Sequence, residues 1–110
     1  MLYLNDGVVG GKRILPEGWV AYSSARTLDS PYAAGFWLGS PQLRTRFGLP
    51  SDAFLAAGIL GQRIVIIPSQ QLVIARFGLW DEEYLQTEED LVKMTGQLIA
   101  DVLAATRPTR

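Results

Sequence analysis

The sequence predicts an α+β fold, an antiparallel sheet of three to four strands with a C-terminal helix on one face. Two apolar, β-branched runs at 64–67 and 72–75 are joined by only four residues, Pro68-Ser69-Gln70-Gln71. So short a connection cannot hold a crossover helix, so the two runs form an antiparallel hairpin. Beyond residue 87 the apolar spacing changes to that of a helix. At 110 residues the chain has the length of one domain.

The elements follow in order. Residues 1–4 read as the tail of a helix that ends at Gly7, a residue suited to a left-handed cap. A helix so short does not hold itself together, which predicts that the chain enters in mid-element. Residues 7–31 are turn-rich, and Pro16-Glu17-Gly18-Trp19-Val20 opens a short helix. Strand candidates are Tyr32 to Leu38, Asp52 to Ala57, Gln62 to Ile67 and Leu72 to Phe77, with a loop through Arg44 and Arg46. The last helix runs from 88 to about 105, with Thr87 as N-cap and acidic residues in its first turn. Leu91, Thr95, Leu98 and Val102 form its apolar stripe, flanked by Val92, Ile99 and Leu103.

The hairpin runs do not alternate polar with apolar, so both of its faces should be buried. Only one long helix is available, and it covers one face. The other face is expected to lie bare, leaving an apolar patch that drives self-association. The same reasoning predicts a single partial domain over 1–110, completed by sequence upstream.

Composition narrows the chemistry. Histidine and cysteine are both absent, which removes imidazole bases, thiol nucleophiles, disulfides and Cys/His metal sites. The net charge is −1, divided between +3 over residues 1–80 (seven basic, four acidic) and −4 over 81–110 (three basic, seven acidic). Neither part carries the dense basic stripe of a nucleic-acid binder, and no apolar run is long enough to span a membrane. Gly7-Val8-Val9-Gly10-Gly11-Lys12 is one residue short of a phosphate-binding loop and lacks its Ser/Thr, so it reads as a glycine turn. Asp81, Glu82, Glu83, Glu88, Glu89 and Asp90 form a solvated acidic face rather than a metal site.

The segment Ala56-Ala57-Gly58-Ile59-Leu60-Gly61-Gln62 brackets an apolar pair between two glycines at a strand junction. Glycine there permits close approach of backbone to a ligand. An ordinary bulge or turn is the alternative.

Four blocks carry a resemblance. They are Arg13-Ile14-Leu15-Pro16-Glu17-Gly18-Trp19-Val20, Tyr32-Ala33-Ala34-Gly35-Phe36-Trp37-Leu38, residues 53–68, and Leu72-Val73-Ile74-Ala75-Arg76-Phe77-Gly78. In this order, over most of the chain, they resemble the C-terminal part of the serine β-lactamase-related hydrolases. That family includes class C β-lactamases, related esterases and 6-aminohexanoate-dimer hydrolases, and the last block is most similar to the latter two.

The resemblance implies a β-lactamase/transpeptidase-like fold and acyl transfer without a cofactor or metal. A serine of an S-x-x-K motif attacks the carbonyl, and two backbone N–H groups hold the oxyanion. The family's third motif falls on Ala56, Ala57 and Gly58 as substrate-binding positions, with the N–H of Ile59 as one oxyanion donor, its partner strand leaving it free. Ala56 stands where β-lactamases have lysine, which removes the grip on a β-lactam carboxylate and implies a neutral ester or amide substrate. No S-x-x-K occurs in the 110 residues, since Ser23-Ser24-Ala25-Arg26 ends in arginine. The nucleophile is therefore expected from the upstream part of the same hydrolase. A second expectation is a non-catalytic α+β module that binds a ligand or a protein partner.

Overall fold

The computed structural model describes residues 2–30, 32–39, 41–58, 62–78 and 88–106. Four strands, β3 (Trp37–Leu38), β4 (Phe54–Ala57), β5 (Arg63–Ile67) and β6 (Leu72–Arg76), form an antiparallel sheet in sequence order. A separate two-stranded ribbon pairs β1 (Val8–Val9) with β2 (Lys12–Arg13). The helices are α1 (Trp19–Ser24), α2 (Pro41–Phe47) and α3 (Glu88–Thr106). The fold is thus α+β, with a C-terminal helix against one face of an antiparallel sheet.

Alternation along the strands sorts the core into two layers. Leu55, Val65, Ile67 and Ile74 face one way and pack with Ile99 of α3, with Leu43 of α2 and with Leu49. Phe54 and Ile66 face the other way and pack with Leu4 and Val20, supported by Tyr3, Leu15, Phe36 and Leu38. Val65, Ile67 and Ile99 are fully buried. Burying each such side chain contributes roughly 1.5–3 kcal/mol relative to leaving it exposed.

The bare second face predicted above is therefore corrected. Residues 3–20 and Phe36 cover it from within the chain, so the hairpin carries two roofs rather than one. Their apolar side chains come from turns and a short helix at no single period, which is why no covering element stands out in the sequence. With the face covered, the argument for self-association through it falls.

Other boundaries shift for local reasons. Residues 2–7 form turns rather than a helix. The Gly7 N–H donates to the Leu2 carbonyl (2.8 Å), the six-to-one bond of a helix end, with Asp6 and Gly7 both at positive φ. A Cβ on Gly7 would also lie 2.7 Å from the Leu15 Cβ. The Gly10-Gly11 pair, at φ 59° and 77°, makes the two-residue turn between β1 and β2. Helix α1 starts at Trp19, three residues beyond Pro16, whose carbonyl accepts the Trp19 N–H.

Strand β3 is only two residues long, because Tyr32 to Phe36 folds back on Trp37. The loop expected through Arg44 and Arg46 is instead α2, with proline at its first position and Gly48 at φ 76° after its last. Asp52 anchors the β5–β6 connection by accepting the Ser69 N–H (2.7 Å) and hydroxyl (2.8 Å). The expected N-cap Thr87 lies outside the described residues. Among the described residues, no helix is long and apolar enough to cross a membrane.

Helices α2 and α3 meet where Gly96 lies under Phe47, and a methyl at Gly96 would fall inside the ring's van der Waals surface. Gly96→Ala therefore sets overpacking of about 1–3 kcal/mol against a helix-propensity gain of about 1 kcal/mol. The expected result is a lower urea midpoint, partly restored in Gly96→Ala/Phe47→Leu; a raised midpoint in the single variant would refute the contact.

The same helices are bridged by Arg46 Nη1 and Glu89 Oε1 at 2.8 Å, an exposed pair. The Arg46 hydrogen bond holds the Glu89 carboxyl below its ordinary value, and the charges of Arg46 and Lys93 act in the same direction. The folded state thus favours the ionised form, so the contribution is complete above the unfolded carboxyl pKa. It is lost as pH falls through the lower folded value. The stability difference between wild type and Glu89→Gln should be small near neutrality and vanish on acidification, as read by chemical denaturation across pH.

Candidate functional site

The site is built at the open end of the central pair, β4 and β5. Their register sets Ala56 opposite Ile64 and Ala57 opposite Arg63. The Gly58 N–H continues the ladder by donating to the Gln62 carbonyl at 2.8 Å. In an antiparallel strand the main-chain polar groups of successive residues point to opposite edges. Gly58, Ala56 and Phe54 are thereby directed towards β5, and Leu55 and Ala57 towards β3.

Strand β3 meets only part of that outer edge. Trp37 pairs with Leu55 and Leu38 with Phe54, and the ladder stops there. The chain before Trp37 turns away, with the Phe36 carbonyl accepting the Ala33 N–H at 2.7 Å. Among the described residues, exposed Ala57 is therefore left without a strand partner on this edge, its N–H and carbonyl turned outward.

Beside this edge lies an open cleft of ≈ 320 Å³. Ala56, Ala57 and Gly58 form one wall, Gln62, Arg63 and Ile64 the other, and Phe77 stands at its rim, 73 % exposed. The structure thus brings the three expected substrate-binding residues to one cleft. Ile59, the expected oxyanion donor, lies outside the described residues together with Leu60 and Gly61.

Arg63 is the feature that reasoning from sequence passed over. It is 7 % exposed, and among the described residues no carboxylate pairs with it. Nη1 donates to the carbonyls of Gly58 (3.2 Å) and Gln62 (2.8 Å), and Nε donates to the Thr95 hydroxyl of α3 (3.1 Å). Burial lowers its pKa, and the neighbouring charge of Arg76 lowers it further. An arginine stays protonated through such shifts, so a cation is held under the cleft by neutral acceptors. The available signal was a charged residue opening the run Ile64-Val65-Ile66-Ile67 at a position of inward-facing parity.

Chemically the site offers outward main-chain donors and acceptors beside an apolar hollow. It can hold an uncharged carbonyl compound by its polar group and its hydrocarbon body together. Comparison with protein families and with curated proteins finds no match to this chain.

Hydrogen exchange checks the edge directly. The Ala57 amide should exchange close to the rate of an open chain, while those of Ala56 and Gly58 are protected. Protection at Ala57 equal to theirs would mean that the edge is covered.

Proposed function

We propose that the chain is the C-terminal part of a serine hydrolase with a β-lactamase-like fold, acting on an ester or amide through an acyl-enzyme. The observation that carries this reading is the edge at Ala57, without a strand partner among the described residues, beside a cleft lined by Ala56, Ala57 and Gly58. This is the segment whose sequence resembles the family's third motif. In this reading the N–H of Ile59 meets the carbonyl oxygen as that oxygen becomes an oxyanion.

The serine and lysine of an S-x-x-K motif come from the upstream part of the same hydrolase. The serine oxygen, its proton taken by the motif's lysine, bonds to the carbonyl carbon. The tetrahedral adduct breaks its bond to the leaving group, which takes that proton and departs as the neutral alcohol or amine. Water then cleaves the acyl-serine bond to release the acid. Alanine at 56 and the hydrocarbon of Ile64 and Phe77 suit a neutral substrate. The cleft's cation, Arg63, is engaged by main-chain carbonyls.

The second reading, a non-catalytic module that binds a ligand or a protein, is favoured by one specific observation. The chain's own residues cover both faces of its sheet, so no additional layer is required to bury it.

The deciding experiment is a nitrophenyl-ester assay on the gene product that includes the sequence preceding this chain. Hydrolysis should occur and should disappear when the serine of its S-x-x-K is changed to alanine. Ile59→Pro, which deletes the N–H, should lower kcat by about 10²–10³ with KM little changed. No S-x-x-K upstream, or no serine-dependent turnover, would leave the module reading in its place.

A further inference from the structure

We propose that Arg63 is a positioning residue that ties the base of the β4–β5 connection to α3, a role whose catalytic meaning rests on the hydrolase reading above. Three bonds make the tie: Nη1 to the carbonyls of Gly58 (3.2 Å) and Gln62 (2.8 Å), and Nε to Thr95 Oγ1 (3.1 Å). Gly58 and Gln62 are the two residues that close the connection, through the Gly58 N–H and the Gln62 carbonyl. A single planar guanidinium thus gathers both ends of the closing pair and fastens them to a helix.

The anchor is firm at the helix side. Thr95 is 3 % exposed and sits one turn before fully buried Ile99 and next to Gly96 under Phe47. Charge-assisted bonds in a buried setting are stronger than neutral ones, and a rigid fork loses little freedom in making them. Lysine in its place would be a point charge, unable to present the same fork.

The consequence concerns the next amide along the chain. In the hydrolase reading the donor is the N–H of Ile59, which belongs to the same planar peptide group as the Gly58 carbonyl that Arg63 grips. A donor aimed at a developing oxyanion must be held to within about 0.5 Å, which a base free to shift does not provide.

The test uses amide hydrogen exchange on the 110-residue chain. Arg63→Met should speed exchange at Gly58 by roughly ten- to a hundred-fold, as expected when charge-assisted bonds are lost, with little change at Val65 and Ile66. Arg63→Lys should recover part of the protection. Thr95→Val cuts only the helix end of the tie and should raise exchange at Gly58 less than Arg63→Met does. It also keeps the test decisive if Arg63→Met does not fold.

An equal rise throughout the sheet, or none at Gly58, overturns the proposal. In the ester-hydrolysing gene product, Arg63→Met should lower kcat and leave KM unchanged; an unchanged kcat also overturns it. If that product hydrolyses no ester, the hydrolase reading fails, while the exchange pattern still decides whether the tie exists.

Discussion

The pairing of Val65 with Ile74 and of Ile66 with Val73 loads both faces of the β5–β6 ribbon with branched hydrocarbon. Water has to be removed from each face separately, and the rest of the architecture answers that requirement. Helices α2 and α3 take one side, and the early turns with α1 take the other. Strand β3 can be short because it adds little to either layer. That shortness is what leaves the outer edge of β4 without a β3 partner beyond Leu55.

Long elements were legible in the sequence because period and length agreed. The helix expected from 88 to about 105 is Glu88–Thr106, and the hairpin expected at 62–77 from two apolar runs and a four-residue connection is Arg63–Ile67 paired with Leu72–Arg76. Short elements escaped because punctuation admits two meanings. Pro41 could close a strand as readily as open a helix, and with Leu43 and Phe47 four apart and Gly48 behind them it opens one. The aromatic run at 32–38 looked like a strand, but Gly35 at φ 145° and the Tyr32–Trp37 bridge fold it onto itself. The second roof had no periodic signature, being assembled from Leu4, Leu15, Val20 and Phe36.

The candidate site divides in the same manner. The segment from Ala56 to Gln62 could be singled out because its two glycines permit close approach of backbone, while Ala56, Ala57 and Gly58 as substrate-binding positions came from the resemblance alone. The cation beneath them could not, since its importance lies in which carbonyls it reaches. One cross-strand pair joins the two: Ala57 of β4 and Arg63 of β5 are direct partners, so the open edge and the tie to α3 belong to the same rung of the sheet.

The two roofs also differ in when they become available during synthesis. Residues 3–20 leave the ribosome before the strands they shelter, whereas α3 emerges after all of them. A nascent chain can therefore close one side of the ribbon early and must wait for some thirty further residues to close the other. During that interval Val65, Ile67 and Ile74 have only α2 and Leu49 to shelter them, so the order of translation assigns this molecule its period of greatest vulnerability.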